Sequence, residues 1–229
     1  MDQPHPRDFA ERGSQRWLQV AVCRAPDLLD QALRQSGAIG PAATVKWVSP
    51  LPKDRFAEYQ DERALQALGL GSLPVRRLSD FWPKGGPVWD ALGVSSEGQP
   101  ILLEAKAHIS EAASPPSKAG AKSLERIEAA LAEARAWYAP QSRAVWSKAL
   151  YQYANRLAFQ YFLAKVNRVP SRLVFLDFCH DAEMDGPETP EMWKGAAEMI
   201  HALLGLPKDL TQKGVFHAYL DVRLLKALA

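Results

Sequence analysis

Three charged side chains lie within the two apolar runs of the segment that spans residues 86–109. Asp90 begins one short apolar run, and Glu104 and Lys106 lie inside the next, ILLEAKAH. Burying a charge in a strand is costly unless the group is paired, solvated or bound to an ion. Two carboxylates and one ammonium group at this spacing therefore indicate a site for metal-ion or acid–base chemistry.

The polar turn SSEGQP separates the two runs and predicts a β-hairpin. Because strand residues alternate between faces, Glu104 and Lys106 share one face with His108, for which we expect a structural role. A turn centred on Glu97 places Asp90 directly opposite Glu104, with Cβ atoms about 4.5–5.5 Å apart. A turn centred half a step later would remove Asp90 from the site.

Two carboxylates at that distance repel each other unless a cation lies between them. Oxygen ligands suit hard ions such as Mg²⁺. A divalent ion can activate water and neutralise charge on a phosphodiester. Lys106, on the same face, can orient that water or stabilise the developing negative charge. The residues therefore predict a hydrolytic site in which Asp90 and Glu104 bind the metal and Lys106 assists.

Pro87, Asp90, Glu104 and Lys106 resemble the PD-(D/E)xK signature of the restriction-endonuclease-like nuclease superfamily. The resemblance covers roughly residues 53–180. It departs from the pattern at the proline, which lies three residues before the aspartate and not next to it. The resemblance implies a nuclease that uses Mg²⁺ or Mn²⁺ and cleaves nucleic acid, with DNA favoured and RNA left open as the alternative. It also implies a restriction-endonuclease-like core.

Proteins that resemble this family often add a metal-binding glutamate from the helix before the hairpin. Glu58 in FAEYQDE is the candidate, and Glu62, four residues later on the same predicted helical face, and Asp61 are alternatives. In relatives, polar residues on the helix after the hairpin support the site or contact the substrate, and here the candidates are Gln152 and Arg156. The competing interpretation for each is an ordinary hydrated helix face.

A polar stripe without any acid recurs at i, i+4 along the helix predicted over residues 145–167 and ends at Gln160. Lysines also lie in or beside the loop after the second strand of the hairpin, where they could meet phosphate or simply aid solubility. The predicted substrate-binding residues are Lys118, Lys122, Lys148, Gln152 and Arg156.

The remaining segments supply the elements that position these residues. Apolar runs and stop signals predict a strand–helix alternation that is typical of one three-layer α/β domain with a central mixed sheet flanked by helices. The domain spans residues 1–229, with a strand–helix–strand elaboration over 1–50 and a nuclease-like core over 53–225. Outside the hairpin, the predicted strands are 17–23, 44–49, 172–179 and 215–225, and the predicted helices are 27–36, 53–70, 121–137, 145–167 and 191–206.

Composition excludes several other classes of protein. The chain has no long apolar run that predicts a membrane span, and its first 16 residues predict no signal peptide. Its two cysteines, Cys23 and Cys179, lie in apolar runs and favour free thiols in the cytoplasm. No P-loop, CxxC zinc motif or GxSxG motif is present.

Two other functions remain open from the sequence. A net charge of only +2 gives little electrostatic attraction for a polyanion, which favours a non-catalytic nucleic-acid-binding or protein-interaction module on the same fold. The third possibility is a small-molecule hydrolase or transferase with an unrelated pocket.

Overall fold

One mixed, open sheet of five strands organises the chain in the order β1-β2-β3-β4-β5. The computed structural model describes residues 9–148 and 150–229. The first three strands run antiparallel, and β3, β4 and β5 run parallel. The carboxyl ends of β3, β4 and β5 therefore meet at one edge of the sheet. The strands are β1 Val45–Ser49, β2 Ala91–Ser95, β3 Pro100–Lys106, β4 Arg172–Cys179 and β5 Val215–Asp221.

Helices cover both faces of this sheet. The first two helices share a buried cluster with one face, and the fifth and sixth helices pack on the other with part of the seventh. The sixth helix continues into a π-helical turn over Phe162–Val166. None of the helices among the described residues is long and apolar enough to cross a membrane. The helices are α1 Gly13–Arg24, α2 Pro26–Ser36, α3 Asp61–Ala67, α4 Leu78–Phe81, α5 Ala121–Tyr138, α6 Tyr151–Tyr161 and α7 Pro190–Leu204.

Alternation along β3 decides which helices meet the charged residues. Ile101, Leu103 and Ala105 pack into the cluster that contains α1 and α2. Leu102 packs into the opposite cluster, with α5 and α6. Glu104 shares the face of Leu102 because strand side chains alternate with a period of two. The carboxylate therefore points toward α6.

The structure confirms most of the predicted elements: the hairpin, β1, β4, α5, α7 and α2, which ends at Gly37 in the left-handed region. The final strand is shorter than predicted, since β5 ends at Asp221 and a helical turn follows. The helix predicted over 145–167 begins only at Tyr151. Residues 1–8 of the predicted N-terminal elaboration, and Ala149, lie outside the described residues.

The strand predicted over residues 17–23 was wrong, because that segment lies in α1. Every residue from Trp17 to Val22 is buried. A short run that is apolar on all sides has no alternation that separates a buried strand from a buried helix. Residues 9–50 therefore form helix–helix–strand. In this segment β1 joins the same sheet as the later strands, and α1 packs on that sheet.

The helix predicted over residues 53–70 was also wrong over its first half. Arg55 and Phe56 both adopt positive φ, at 52° and 55°, which is incompatible with a right-handed helix. The helix forms only from Asp61, and the preceding residues run past the start of the hairpin. Glu58 and Glu62 therefore do not share a helical face.

Candidate active site

The hairpin adopts the register that places the two carboxylates together. Ala91 pairs with Leu103 and Gly93 with Ile101, as a turn centred on Glu97 requires. Extending this register by one residue sets Asp90 opposite Glu104. The backbone N–H of Ala105 donates a hydrogen bond to Asp90 Oδ2 over 2.7 Å, which fixes this carboxylate against β3. The predicted register is thus confirmed.

Glu104 lies at the centre of a buried ion-pair network. Its side chain is 3% exposed. Lys106 Nζ lies 2.5 Å from Glu104 Oε1, and Arg156 donates from Nε to Oε2 over 2.7 Å. Burial by itself disfavours the charged carboxylate, but the Arg156 guanidinium and the Lys106 ammonium outweigh it and lower the pKa of Glu104. Glu104 is therefore the ionised member of the carboxylate pair.

Asp90 has the opposite electrostatic character. Burial and then the neighbouring Glu104 charge raise the pKa of Asp90 to about 8, although Lys106 partly opposes this shift. Among the described residues, no hydrogen bond reaches Asp90 Oδ1. One oxygen of a proton-holding carboxyl is thus left without a protein partner.

Glu58 joins this pair by a route that sequence reasoning missed. Tyr59 forms an isolated antiparallel bridge with Trp89, whose N–H donates to the Tyr59 carbonyl over 3.0 Å. This bridge brings Glu58 beside the start of the hairpin, where Gln15 Nε2 donates to Glu58 Oε1 over 3.0 Å. Burial and the nearby Glu104 charge raise the pKa of Glu58, while Gln15 opposes the shift. Glu58 is the third acid of the site, but an extended segment carries it.

Asp61 and Glu62, the alternatives to Glu58, lie against other parts of the protein. The Asp61 carboxylate accepts hydrogen bonds from the backbone N–H groups of Gly85 and Gly86, each over 2.9 Å. It therefore holds the loop that leads to Asp90. Glu62 lies on the exposed side of α3, beside a separate surface groove.

The loop packs closely at Gly86, and a substitution there tests this contact. A Cβ on Gly86 would lie 2.7 Å from Asp61 Oδ1 and 2.8 Å from the Phe159 ring. We expect Gly86→Ala to lower the free energy of unfolding by about 1–3 kcal/mol, because the loop must shift. Gly120→Ala is the control, since nothing lies within 4 Å of its added Cβ. Chemical denaturation measures both, and equal stability for the two variants would contradict the contact.

The predicted substrate-binding residues separate into three groups. Arg156 is buried against Glu104, so it belongs to the ion-pair network and does not face solvent. Gln152 lines a small cavity together with Glu104 and Lys106. The three lysines are exposed and do not line that cavity: Lys118, Lys122 and Lys148. Lys148 precedes the start of α6.

The last residue of the predicted polar stripe has a structural role. Gln160 is fully buried and donates to the carbonyls of Ser171 and Lys213 over 3.2 and 2.9 Å. His108 also has local partners, Ser110 and Glu111, as a structural histidine requires. The absence of acids from the stripe therefore reflects burial of its second half.

Parallel pairing adds residues that the sequence reasoning did not single out. Asp177 of β4 pairs with Lys106, and His217 of β5 pairs with Phe175. Both Asp177 and His217 line the cavity that contains Glu104 and Lys106. The available signal was an aspartate inside the apolar run RLVFLDFC, but the register between distant strands was needed to place it.

The carboxylate oxygens of the site meet part of what a hard divalent cation requires. Mg²⁺ is commonly held by one or two carboxylates together with waters and substrate phosphates. In the part of the chain that the structure describes, no donor reaches Asp90 Oδ1, and Lys106 is the one donor to Glu104 Oε1, so each carboxylate retains lone pairs for a ligand. No group of three acid, His or Cys side chains at metal-binding spacing occurs in residues 9–148 and 150–229. The chain can therefore offer two carboxylates, with Glu58 close by.

No family model, curated protein or solved structure matches this chain.

Proposed function

We propose that this chain is a metal-dependent phosphodiesterase that hydrolyses nucleic acid, DNA rather than RNA. The observation that carries the proposal is the hairpin register, which sets Asp90 opposite Glu104 with Lys106 two residues farther along the same face. The helices on both faces of a mixed sheet, and the parallel strand β4 after α5 and α6, agree with a three-layer restriction-endonuclease-like core. A cytoplasmic location stays a prediction.

The charges of the site support this chemistry. Asp90, Glu104 and Glu58 supply three carboxylates, whereas Lys106 and Arg156 supply two cations, so full ionisation leaves one negative charge in excess. Mg²⁺ or Mn²⁺, when bound, would activate a water molecule and neutralise charge on the phosphate. Asp90 and Glu104 would hold it, and Glu58 is the additional candidate ligand.

Lys106 acts in this proposal as a cationic hydrogen-bond donor. Burial disfavours its charge, but Glu104 and Asp90 outweigh burial and raise its pKa. A protonated lysine cannot accept a proton from water. Lys106 therefore orients the attacking water or stabilises the charge that develops on the phosphate.

The test uses pure protein with single- and double-stranded DNA and RNA in the presence of Mg²⁺ or Mn²⁺. We expect cleavage by the wild type, and a loss of about 10²–10³-fold in rate for Lys106→Met, which removes the charge and keeps most of the side-chain volume. Lys226→Met, at an exposed lysine in the last helical turn of the chain, is the control. If the wild type and Lys106→Met have the same rate on every substrate, Lys106 is not catalytic and the proposal fails.

A specific observation favours the non-catalytic alternative. Both oxygens of Glu104 already accept from cations, as in a buried ion pair that only supports the fold. In that case the module would bind nucleic acid or a protein without a metal ion. Calorimetric titration with Mg²⁺ and Mn²⁺ separates the two functions, because heat of binding that Asp90→Asn abolishes is expected only for the phosphodiesterase.

A further inference from the structure

A chain of hydrogen bonds runs from α7 to the carboxyl end of β4. His201 Nδ1 lies 2.8 Å from the Pro207 carbonyl, and its Nε2 lies 2.7 Å from the Tyr153 hydroxyl. That hydroxyl lies 3.2 Å from His217 Nε2. His217 Nδ1 lies 3.4 Å from Asp177 Oδ2. Four side chains are thus linked in one line.

The partners fix where the protons are. A carbonyl only accepts, so His201 carries its proton on Nδ1. Burial and then His217 lower the pKa of His201, so this ring is neutral and its Nε2 accepts from the Tyr153 hydroxyl. The Tyr153 oxygen then accepts from His217 Nε2–H. Each step leaves only one assignment for the next group.

The assignment ends with one proton between His217 and Asp177. If His217 Nδ1 held no proton, its lone pair would face a carboxylate, which is repulsive. Either an imidazolium donates to the Asp177 carboxylate, or a protonated Asp177 donates to neutral His217. Burial raises the pKa of Asp177, although His217 and Lys106 oppose the shift. Both arrangements contain the same single shared proton.

This pair lies between the candidate active site and solvent. On one side, Asp177 and His217 line a cavity of about 30 Å³ together with Glu104 and Lys106. That volume accommodates about two water molecules. On the other side, His217 and His201 line an open groove of about 590 Å³ between α2 and α7. The proton of the pair can therefore be replaced from the groove.

We propose that the Asp177–His217 pair is the general acid that protonates the leaving oxygen of the phosphodiester. The inference rests on the proposed function and deepens it. Attack by water forms a new phosphorus–oxygen bond and releases a proton to solvent. The bond to the leaving oxygen breaks, and its electron pair stays on that oxygen. The shared proton moves to this oxygen through water in the cavity, and a proton from the groove reloads the pair.

The titratable groups around the pair are few and come from each neighbouring element. Lys106 faces Asp177 from β3 and holds it toward its charged form. The other titratable groups that face the pair within the described part of the chain are Glu104 from β3, Tyr153 from α6, His201 from α7, Tyr219 from β5 and Cys179 from β4.

The leaving group provides the test. A DNA substrate with sulfur in place of the leaving oxygen, at the bond that the wild type cuts, releases a thiolate that needs no proton. We expect His217→Gln and Asp177→Asn to lower the rate on ordinary DNA by about 10²–10⁴-fold. On the sulfur substrate the same variants should stay within about threefold of the wild type, as expected for loss of a general acid.

His180→Gln is the matched control. His180 Nε2 lies 3.8 Å from Asp221 Oδ2, so the two form a similar pair, and neither residue lines the cavity. It should leave both rates unchanged. Thermal unfolding checks that each variant folds. If His217→Gln does not fold, the isosteric Asp177→Asn provides the test by itself. Equal losses on both substrates would show a structural role, and no loss on either would show no role. If the wild type cleaves neither substrate, the proposed function itself is overturned, and this inference with it.

Discussion

Asp90→Asn is expected to abolish metal-dependent cleavage and, at alkaline pH, to make the metal-free protein more stable. The amide keeps the size of the side chain and can still accept the Ala105 N–H bond. It removes a charge that burial and Glu104 both disfavour. It also removes a carboxylate that the proposed metal site requires. The same substitution thus moves stability and activity in opposite directions.

The pH dependence follows from the raised pKa of Asp90. The folded carboxyl titrates at about 8, far above the value of about 3.9 for an exposed aspartate. Between these values the folded state binds the extra proton, so the stability contributed by Asp90 is present at low pH and is lost as pH rises toward 8. We therefore expect the wild type to lose stability over this window relative to Asp90→Asn. At pH 9 the variant should be the more stable protein, because its amide stays neutral where the buried carboxyl of the wild type is ionised.

Thermal and chemical denaturation from pH 4 to pH 9, in the presence of a chelator, measure this difference. The control is Asp185→Asn, an exposed aspartate at a positive φ of 49° that suits asparagine. Adding Mg²⁺ or Mn²⁺ at pH 8 should stabilise the wild type and release a proton, because metal binding competes with protonation of Asp90. The idea is wrong if Asp90→Asn is the less stable protein at pH 9 and cleaves normally.

The part of the site that the sequence predicted is the part that local structure determines. Asp90 and Glu104 belong to one hairpin, and the short turn around Glu97 sets their register. Strand alternation then determines the face of Lys106 without any distant contact. These three positions therefore follow from periodicity and turn chemistry alone.

The other members of the site depend on contacts between distant segments. Glu58 reaches the site because Tyr59 bridges to Trp89, and the sequence around it predicted a helix instead. Asp177 and His217 come together only through the parallel register of β4 and β5, which single-sequence patterns do not specify. The strand predicted within the α1 segment was wrong for a related reason. Burial on all sides removes the periodicity that distinguishes a helix from a strand.

Arg156 shows how the structure separates two roles that the sequence left open. The sequence allowed it either to support the site or to contact the substrate. In the structure, Nε and Nη2 lie 2.7 and 2.6 Å from Glu104 Oε2, and Nη2 also donates to the Val88 carbonyl over 2.7 Å. The guanidinium also lies 5.1 Å from the centre of the Trp89 ring. A group that is already paired in this way supports the carboxylates and is not free to bind phosphate.

Arg156→Met is accordingly expected to lower the free energy of unfolding by about 3–5 kcal/mol, the range for breaking a buried ion pair by removing one partner. Among the residues that the structure describes, the loss leaves Glu104 paired with Lys106 alone. Arg76→Met is the matched control, because Arg76 pairs with Glu133 at 3.0 Å near the surface, where both side chains are about one-third exposed. A surface pair of this kind contributes about 0–1 kcal/mol.

A double-mutant cycle identifies the source of that loss. If the cost of Arg156→Met comes from an uncompensated Glu104 charge, Glu104→Gln combined with Arg156→Met should be more stable than Arg156→Met alone. A purely steric role for Arg156 predicts no such recovery.

The same reasoning links stability to the metal ion. Arg156→Met raises the excess negative charge of the site from one to two, so Mg²⁺ or Mn²⁺ should stabilise it more than the wild type. A smaller metal-induced stabilisation in Arg156→Met than in the wild type would contradict this charge balance, and no stabilisation of either protein would show that these carboxylates bind no cation.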